Sequence, residues 1–416
     1  MTPRSLADWL AFIERQHPQS IALGLERVAE VYAKLKITAA GPVITVGGTN
    51  GKGSTCAMLE AILQAAGYKV GLYTSPHIAR YSERVRIAGA EASDEALAQA
   101  FAAVDAARGE VPLTYFEFGT LAALLLFSQG SLDAWILEVG LGGRLDAVNV
   151  VDADCAVLTS IGIDHVEFLG DTRAAIGREK AGIFRPGTPA VISEPNIPES
   201  VTEEIRRIKA KPLLLGRDFG YRSQGTQWSY WGPGGKRAGL AHPALRGAMQ
   251  LRNAAAAITA LDTLRERIPV AMQDVRRGLA EVTLPGRFQV LPGRPQVILD
   301  VAHNPEAAAV LAHNLGDSGF APETIGVLGM LRDKDIAGVV RAVAPRITRW
   351  HLATLDGPRG MDSNSLSRIF SELKIKEPVT PHPSVSAALA AAKSEAGEND
   401  KIVVFGSFHT VAGAHG

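Results

Sequence analysis

The segment 46–55, Val-Gly-Gly-Thr-Asn-Gly-Lys-Gly-Ser-Thr, constrains the fold of this chain more than any other. An apolar run before it predicts a buried strand, and apolar residues at helical spacing over 56–66 predict a helix after it. A strand, a glycine-rich turn and a helix N-terminus in this order direct several backbone N–H groups at one point, which suits an anion. The segment therefore predicts a phosphate-binding loop, in which Lys52 reaches the outer phosphates and a hydroxyl of Ser54 or Thr55 binds Mg²⁺.

The loop departs from the general pattern G-x-x-x-x-G-K-[ST] at two positions. Val46 stands where the pattern has its first glycine, and Gly53 stands where it has Ser or Thr. A glycine-rich turn that binds nothing is the alternative interpretation. The strand and helix predicted on either side favour the phosphate-binding one.

Composition limits the other function classes. The 416 residues allow about two or three domains. Lys+Arg and Asp+Glu are equal at 43 each, so no basic excess indicates a nucleic-acid or membrane-surface partner. The two cysteines, Cys56 and Cys155, lie in a predicted helix and a predicted strand, which is typical of small core residues in a reducing cytosol.

No segment has the pattern of a signal peptide or a membrane span. Residues 1–15 include Asp8 and Glu14 among their apolar residues. The apolar run 121–127 is far too short to cross a bilayer. We therefore expect a soluble, cytoplasmic protein.

After the loop, strands and helices alternate, which predicts a parallel, doubly wound sheet that binds ligands beyond the carboxyl ends of its strands. Three candidate residues follow such ends. Ser75 follows the strand 70–73, although a Ser-Pro turn explains it equally well. Glu138, near the end of an apolar strand, is a candidate metal ligand. The pair Asp164–His165 follows another strand. Such an isolated pair is more often structural, but its place on the predicted ligand edge makes a ligand role for His165 equally plausible.

Three further segments carry candidate ligand contacts. In 114–118, Thr-Tyr-Phe-Glu-Phe, aromatic rings flank a carboxylate and could hold a flat heterocycle, or could form an aromatic core. The glycine-rich segment 140–146 could approach a ligand closely. Residues 178–184 have the pattern of the last turns of a helix closed by Gly182, whose charges would ordinarily face solvent.

The second half of the chain predicts a second domain. Residues 213–240 predict short antiparallel strands, 251–267 predict an Ala-rich helix, and 284–288 predict a hinge. From residue 297 onward strands and helices alternate again. The predicted fold class is α/β: an N-terminal P-loop-containing, doubly wound, mainly parallel sheet domain over 1–285, and a smaller C-terminal Rossmann-like α/β domain over 286–416.

Taken together, the ordered motifs of this chain resemble those of folylpolyglutamate synthases, members of the Mur-ligase superfamily. The resemblance covers essentially the whole chain, and the bifunctional bacterial type, with dihydrofolate synthase and folylpolyglutamate synthase activities, is the most similar. The motifs are G-T-N-G-K-G-S-T at 48–55, S-P-H at 75–77, T-Y-F-E-F at 114–118, E-V-G-L-G-G-R-L-D-A at 138–147, D-H at 164–165, R-E-K-A-G-I-F at 178–184, L-P-G-R-F at 284–288, D-V-A-H-N-P at 300–305 and G-S-F-H-T at 406–410.

The resemblance implies a role for each matching residue. Lys52, Lys180 and His165 would act in catalysis, Lys180 as a carbamate. The implied metal ligands are Ser75, Glu138, His165 and Lys180. The implied ATP-binding residues are Thr49, Asn50, Gly51, Lys52, Gly53, Ser54, Thr55, Asn253, Arg287, Asp300 and His303, with Asn253 matched on Asn-Ala-Ala-Ala and the last two in the second domain. The implied pterin-binding residues are Leu23, Gly24, Leu25, Thr114, Tyr115, Phe116, Glu117, Leu145, Asp146 and Ala147.

The implied activity is an ATP-dependent amide ligase that adds L-glutamate to dihydropteroate, giving dihydrofolate, and then to reduced folates through an acyl phosphate. The resemblance also implies ATP, two Mg²⁺ ions and a monovalent cation, and a monomer that binds neither nucleic acid nor membrane. Two other enzymes stay open: a monofunctional folylpolyglutamate synthase, and a cell-wall Mur ligase, which the pterin-type segments disfavour. An ATP-binding regulatory module without ligase activity is the alternative from another class.

Overall fold

The computed structural model describes residues 5–19 and 21–415. Residues 1–4, which are part of the segment judged above not to be a signal peptide, lie outside the described residues. The chain divides into two compact units, Met1–Ala244 with Leu251–Val282 and Leu245–Gln250 with Thr283–Gly416.

The first unit is built on an eight-stranded sheet. Its strands are β1 (Val43–Gly47), β2 (Val70–Tyr73), β3 (Val85–Ile87), β4 (Ala90–Glu91), β5 (Ala134–Glu138), β6 (Cys155–Leu158), β7 (Pro189–Ile192) and β8 (Lys211–Leu214). The strand order is β4-β3-β2-β5-β1-β6-β7-β8, and pairing is parallel from β2 to β8. The strands β1, β2, β5 and β6 are mainly apolar and are buried along their whole length, as expected for parallel strands covered on both faces.

Helices cover this sheet. They are α1 (Leu6–Ile13), α2 (Glu26–Leu35), α3 (Lys52–Ala65), α4 (Asp94–Arg108), α5 (Tyr115–Gln129), α6 (Val166–Leu169), α7 (Arg173–Ala181), α8 (Glu199–Ile208), α9 (Gln250–Thr263) and α10 (Met272–Glu281), with 3-10 turns at Tyr81–Arg84 and Ala147–Val150. The predicted helix at 251–267 is α9, and the segment 178–184 ends α7 as predicted, with Gly182 as its C-cap. No helix in the described part of the chain is long and apolar enough to cross a membrane.

A small antiparallel sheet lies beside these elements, formed by β9 (Gly220–Gln224), β10 (Gln227–Gly232) and β11 (Gly235–Ala241) in the order β11-β10-β9. The antiparallel strands predicted over 213–240 are correct from Gly220 onward. Leu213 and Leu214 are different, because they belong to β8 and pair in parallel with β7. The apolar residues of β8 therefore extend the large sheet.

The second unit contains a six-stranded sheet of order β12-β13-β17-β14-β15-β16. Its strands are β12 (Gln289–Leu291), β13 (Gln296–Leu299), β14 (Thr324–Leu328), β15 (Arg349–Ala353), β16 (Val379–His382) and β17 (Lys401–Phe405). Its helices are α11 (Pro305–Asp317), α12 (Ile336–Val343), α13 (Ser363–Glu372), α14 (Val385–Glu395) and α15 (Phe408–Gly413), with a 3-10 turn at Ala344–Arg346. Only β12 pairs antiparallel. The predicted α/β fold class, with a larger and a smaller sheet, is confirmed.

Candidate active site

The carboxyl ends of four neighbouring strands bring the candidate residues to one edge of the large sheet. In the order β2-β5-β1-β6, Tyr73 lies opposite Leu137 and Val46 lies opposite Glu138. Gly47 in turn lies opposite Leu158 of β6. The segments that carry Ser75, Glu138, the phosphate-binding loop and His165 therefore leave the sheet side by side.

The predicted phosphate-binding loop joins β1 to α3. Gly51 is the N-cap of α3 with a left-handed backbone, φ 89°, and no side chain caps the helix. The first N–H groups of α3 thus stand at the end of the loop, where a helix N-terminus favours an anion. Nζ of Lys52 donates to the carbonyls of Gly48 at 3.1 Å and Thr49 at 3.2 Å, so the ammonium lies over its own loop. The hydroxyl of Thr55 donates to the carbonyl of Gly51 at 2.9 Å, which leaves its oxygen lone pairs able to meet a metal.

Thr159 and Ser160, directly after β6, hold this loop in place. The amide of Asn50 donates to Oγ of Ser160 at 2.9 Å, and the amide of Thr49 donates to the carbonyl of Ser160 at 2.9 Å. The hydroxyl of Thr159 donates to the carbonyl of Asn50 at 2.7 Å. The sequence analysis missed both residues. Two adjacent hydroxyls at the end of a buried strand, on the predicted ligand edge, were the available signal.

Asn253 of α9 lies beside the loop, although about 200 residues separate the two in the sequence. A Cβ atom on Gly51 would stand 2.7 Å from Oδ1 of Asn253, so any other residue at position 51 would force Asn253 or the loop to shift. Asn253 is almost fully buried. The structure therefore places Asn253 beside the loop, while its contact with ATP, which the resemblance implies, stays a prediction.

Ser75 and Glu138 are also brought together. The amide of Ser75 donates to Oε2 of Glu138 at 3.1 Å, which holds this carboxylate at the carboxyl end of β5. Glu138 is only 4% exposed. A buried carboxylate at this position suits a cation, because leaving its charge uncompensated is costly.

Lys180, in the last turn of α7, is buried next to other charges of the site. Burial is the main cause that lowers the pKa of its ammonium to about 7, and the positive charge of Lys52 lowers it further. The carboxylates of Asp164 and Asp146 act in the opposite direction on this pKa. Lys180 is therefore within electrostatic reach of the phosphate-binding loop and of the segment that carries His165.

Asp146 organises the glycine-rich segment 140–146. Its carboxylate accepts the amides of Leu141 at 2.8 Å and Val148 at 3.1 Å. Burial raises the pKa of this carboxyl to about 6, against the opposing effect of the backbone donors. At Gly143 an added Cβ would stand 2.9 Å from the carbonyl of Glu179, so the segment packs directly on the end of α7.

His165 is the N-cap residue of the short helix α6 and has a left-handed backbone, φ 52°. Its amide donates to Oδ1 of Asp164 at 2.8 Å. Within residues 5–19 and 21–415, no group of three or more His, Cys, Asp or Glu side chains could hold a metal ion. A metal at Glu138 and His165 would thus need a ligand of another kind. The hydroxyl of Ser75 or a carbamate on Lys180 would be such a ligand.

The three predicted pterin segments also come together. Nη2 of Arg27 pairs with Oε1 of Glu117 at 2.7 Å and donates to the carbonyl of Ala22 at 2.9 Å, which joins the segment around Leu23–Leu25 to the start of α5. The 3-10 turn Ala147–Val150, which follows Leu145 and Asp146, contacts both α2 and α5. The carboxylate of Glu117 is already engaged, since it also accepts the amide of Thr114 at 2.8 Å.

The aromatic residues of α5 divide between core and surface. Phe118 is fully buried, as the alternative core interpretation expects, whereas Tyr115 and Phe116 are partly exposed. The guanidinium of Arg84 lies 5.6 Å from the centre of the Tyr115 ring, and its Nε donates to Nδ1 of His77 at 2.8 Å. The sequence analysis did not single out Arg84, because nothing in its local sequence indicates these partners.

Arg287, Asp300 and His303 lie in the second unit and near one another. Burial raises the pKa of the Asp300 carboxyl, which accepts the amides of Phe288 at 2.9 Å and Ala302 at 2.8 Å. The charges of Arg287 and His303 act on the same carboxyl and lower its pKa. Their contact with a nucleotide stays a prediction.

Two family models match the chain: the Mur ligase middle domain over residues 46–261 and the Mur ligase glutamate ligase domain over residues 286–408. The chain is also 45% identical over 408 residues to the dihydrofolate synthase/folylpolyglutamate synthase of Escherichia coli, which covers 98% of this chain and 94% of that protein. The corresponding Haemophilus influenzae protein is 42% identical, covering 98% and 96%. The chain belongs to the dihydrofolate synthase/folylpolyglutamate synthase family of Mur ligases.

Solved structures of this family have the same fold. The structure of E. coli FolC in complex with DHPP and ADP matches with a TM-score of 0.94 at 44% identity, covering 100% of this chain and 98% of that one. A bifunctional folylpolyglutamate synthase/dihydrofolate synthase with Mn, AMPPNP and L-glutamate bound matches with a TM-score of 0.91 at 44% identity, covering 99% and 98%. As a member of this family, the chain is a ligase that forms amide bonds.

Proposed function

We propose that this chain joins L-glutamate to dihydropteroate, giving dihydrofolate, and adds further glutamates to reduced folates at the expense of ATP. The relatives named above support both activities. DHPP, AMPPNP and L-glutamate in the solved relatives support the substrate classes. One observation in this chain carries the proposal: the phosphate-binding loop, the Ser75–Glu138 pair and the buried Lys180 meet at the carboxyl edge of one sheet.

The nucleotide phosphates would bind the loop that ends at Gly51 and begins α3. Residues Thr49 to Thr55 would supply backbone N–H groups and hydroxyls, with Asn253 beside them. Lys52 would leave the carbonyls of Gly48 and Thr49, which it contacts in this structure, and turn to the outer phosphates. We propose that Arg287, Asp300 and His303 contribute to the nucleotide site as the resemblance implies.

A divalent metal fits this donor set. Glu138 offers a buried carboxylate, and Ser75, whose backbone amide donates to that carboxylate, offers a hydroxyl; both groups are oxygen ligands of the kind that Mg²⁺ prefers. We propose that Glu138, Ser75, His165 and a carbamate on Lys180 hold two Mg²⁺ ions, and that a monovalent cation binds as well. Manganese in a solved relative supports a divalent metal. The metal would neutralise phosphate charge during transfer.

The reaction needs two steps, because a carboxylate oxygen is a poor leaving group. The γ-phosphoryl group of ATP passes to the carboxylate of the pterin substrate, giving an acyl phosphate and ADP. Lys52 would neutralise the charge that shifts towards the β,γ-bridge. The amine of L-glutamate then attacks the acyl carbon, the amide bond forms, and phosphate leaves. This reaction requires no nucleophile from the chain, whose contribution would be to orient the substrates and exclude water.

The pterin substrate would bind where the segments 23–25, 114–117 and 145–147 converge. Tyr115 and Phe116 would supply flat apolar surface for the ring system. Glu117 would line this pocket, with its carboxylate held in place by Arg27 and by the amide of Thr114. Asp146 would position the loop that closes this side of the pocket through its two backbone donors.

The experiment that tests the proposal measures ADP release by the purified protein with ATP, Mg²⁺ and L-glutamate. Dihydropteroate and tetrahydrofolate are supplied in separate reactions, with mass spectrometry of the products. We expect glutamylated product from both. Product from tetrahydrofolate alone would favour a monofunctional folylpolyglutamate synthase, and product from neither would overturn the proposal.

Four remaining features belong to the proposal as well. We propose a division into domains at residues 1–285 and 286–416, close to the boundary between the two matched family models. We propose a cytoplasmic monomer without a nucleic-acid partner. The balance of 43 basic and 43 acidic residues supports the last of these three points.

A further inference from the structure

An ion pair outside the residues assigned above holds the backbone of Ile161. Oε2 of Glu194 accepts the amide of Ile161 at 3.0 Å, and Nε of Arg173 donates to the carbonyl of Ile161 at 2.8 Å. The two side chains pair with each other, Nη2 of Arg173 lying 3.0 Å from Oε1 of Glu194. Both backbone polar groups of one residue are therefore bound by one ion pair.

The ion pair is itself fixed at both ends. Arg173 is the first residue of α7, and Glu194 follows β7 with its side chain 7% exposed. Nη2 of Arg173 also donates to the carbonyl of Asn196 at 2.9 Å, and the amide of Asn196 donates to Oε1 of Glu194 at 3.1 Å. A carboxylate with several donors and a guanidinium with several acceptors leave little freedom to either group.

The next residue, Gly162, makes the same kind of paired contact with the phosphate-binding loop. Its amide donates to Oγ1 of Thr49 at 2.9 Å, and the hydroxyl of Thr49 donates back to its carbonyl at 3.1 Å. A continuous series of hydrogen bonds and one peptide bond thus runs from Glu194 through Ile161 and Gly162 to Thr49. The preceding residue, Ser160, binds the same loop.

We propose that Glu194 and Arg173 are positioning residues that set the shape of the phosphate-binding loop through Ile161 and Gly162, and thereby the affinity for nucleotide. The inference rests on the proposed function, since it assumes that the loop binds the phosphates of ATP. Affinity for an anion depends on N–H groups that are already aimed before the ligand arrives. A shift in Gly162 moves the Thr49 hydroxyl and, with it, the loop backbone.

A purely structural role makes a different prediction. If the ion pair only stabilised the first unit, its removal would lower the free energy of unfolding and leave the dissociation constant of ADP for the folded protein unchanged. If it positions the loop, the dissociation constant itself rises. The two outcomes are separated by measuring ADP binding well below the melting temperature of each variant.

The test compares Glu194→Ala and Glu194→Gln with wild type by titration calorimetry with ADP and Mg²⁺, and by steady-state kinetics in ATP. We expect Glu194→Ala to raise the ADP dissociation constant and the KM for ATP about tenfold or more, a loss of the size caused by removing a charged hydrogen-bond partner. Glu194→Gln should lose less ADP affinity, because the side-chain oxygen of glutamine can still accept a hydrogen bond from the amide of Ile161. Arg173→Lys should raise the ADP dissociation constant by an amount between those of the two Glu194 variants. A lysine ammonium keeps the positive charge but lacks the several N–H donors that a guanidinium holds in one plane.

Glu204 supplies a matched control. Its side chain is 9% exposed, as against 7% for Glu194, and it pairs with Arg207 on its own helix, α8. Glu204→Gln should lower the melting temperature by an amount similar to Glu194→Gln and leave ADP binding as in wild type. An equal loss of ADP affinity in both variants would assign the effect to general destabilisation and overturn the inference.

A double-mutant cycle tests the route through Gly162. Thr49→Val removes the hydroxyl that Gly162 contacts. In a protein that already carries Thr49→Val, Glu194→Ala should therefore lower the ADP affinity by less than it does in wild type. We expect the affinity loss of Thr49→Val/Glu194→Ala to be smaller than the product of the single losses by about threefold or more. If the loss of ADP affinity in the double variant equals the product of the two single losses, the effect of Glu194 does not pass through Gly162 and Thr49.

The result for wild type separates failure of this inference from failure of the proposed function. Wild-type protein that neither binds ADP nor ligates glutamate would overturn the proposed function. Wild-type protein that does both, with Glu194→Gln and Arg173→Lys binding ADP as tightly as wild type does, would overturn the positioning role alone. These two conservative variants decide the question even where Glu194→Ala does not fold.

Discussion

The carboxamide of Asn253 lies directly against the backbone of Gly51, because a Cβ atom at position 51 would stand 2.7 Å from its Oδ1. Gly51 also has φ 89°, a conformation that costs other residues about 1–2 kcal/mol. Position 51 therefore requires glycine for two independent reasons. One is local to the turn that begins α3, and the other is the contact with α9.

Gly51→Ala should lower both stability and nucleotide affinity. The methyl group must push Asn253 or the loop aside, and either movement disturbs the N–H groups aimed at the phosphates. Gly67→Ala is a control with the same φ of 89° and no atom within 4 Å of the added Cβ. We expect a larger fall in melting temperature for Gly51→Ala than for Gly67→Ala, with ADP affinity lost only in the former. Equal changes in melting temperature and ADP affinity in the two variants would show that the contact between Gly51 and Asn253 contributes to neither property.

Lys52→Ala should abolish most activity and leave the fold intact. In this structure Nζ contacts only loop carbonyls in the hydrogen bonds of the described residues, so little packing is lost. An interaction with the transferring phosphoryl group should be lost mainly from kcat, by about a hundredfold or more. Single-turnover measurement of ADP release checks this, with circular dichroism as the control for folding. ADP release near the wild-type rate would refute the role of Lys52.

Local sequence patterns predicted most strands and helices, because the spacing of the apolar residues within each element indicates whether it is a strand or a helix. The arrangement that builds the site is not local. Ser75 meets Glu138 because β2 pairs with β5, more than 60 residues away in the sequence. Asn253 reaches the loop from α9, and only a resemblance to known proteins indicated it. Strand order and helix docking depend on long-range packing that one sequence does not specify residue by residue.

One local signal was available and was not used. Thr114 and Glu117 form a capping box at the start of α5, with the Glu117 amide 3.3 Å from Oγ1 of Thr114 and the Thr114 amide 2.8 Å from Oε2 of Glu117. The spacing Thr-x-x-Glu ahead of an apolar run is the sequence pattern of such a box. Glu117 was instead considered as a ligand-binding carboxylate between aromatic rings. Its pairing with Arg27 needed the structure.

Asp262→Ala should destabilise the first unit without changing catalysis. Asp262 accepts two hydrogen bonds from the guanidinium of Arg237, whose side chain is 15% exposed, at 3.1 Å and 2.5 Å, and one from the hydroxyl of Tyr230 at 2.9 Å. Removing the carboxylate leaves the largely buried Arg237 charge and the Tyr230 hydroxyl without this partner, which costs about 3 kcal/mol. Urea unfolding measures this loss, and kcat should stay at the wild-type value under conditions where the variant is folded.

The exposed pair Arg178–Glu203 is the comparison for Asp262. Its side chains are 57% and 56% exposed, so Glu203→Ala should change the free energy of unfolding by less than about 1 kcal/mol. A loss of similar size in both variants would show that burial of the Arg237–Asp262 pair does not matter. A fall in kcat specific to Asp262→Ala would place this cluster in the catalytic machinery.

The last prediction is that Lys180 acts as a carbamate formed with CO₂. Carbamate formation needs a neutral amine, and a pKa lowered to about 7 by burial and by the charge of Lys52 supplies one near neutral pH. As the pH falls below about 7 the amine gains a proton and can no longer react, so activity in CO₂-equilibrated buffer should fall. NMR of protein equilibrated with ¹³C-bicarbonate should give a carbamate signal that Lys180→Ala lacks.

Chemical rescue separates the carbamate from the simpler alternative, in which the Lys180 ammonium pairs with the γ-phosphate. Lys180→Ala should be inactive in both cases. A carbamate presents a carboxylate-like group, so acetate should restore part of the activity and methylamine should not. Asp164 and Asp146 already place negative charge near Lys180, and Lys52 is the positive charge that acts on it, so we expect the added anion to need Mg²⁺ as a further cation. Rescue should therefore depend on Mg²⁺ concentration more steeply in the variant than in wild type. Rescue by methylamine and not by acetate would establish the ammonium and overturn the carbamate.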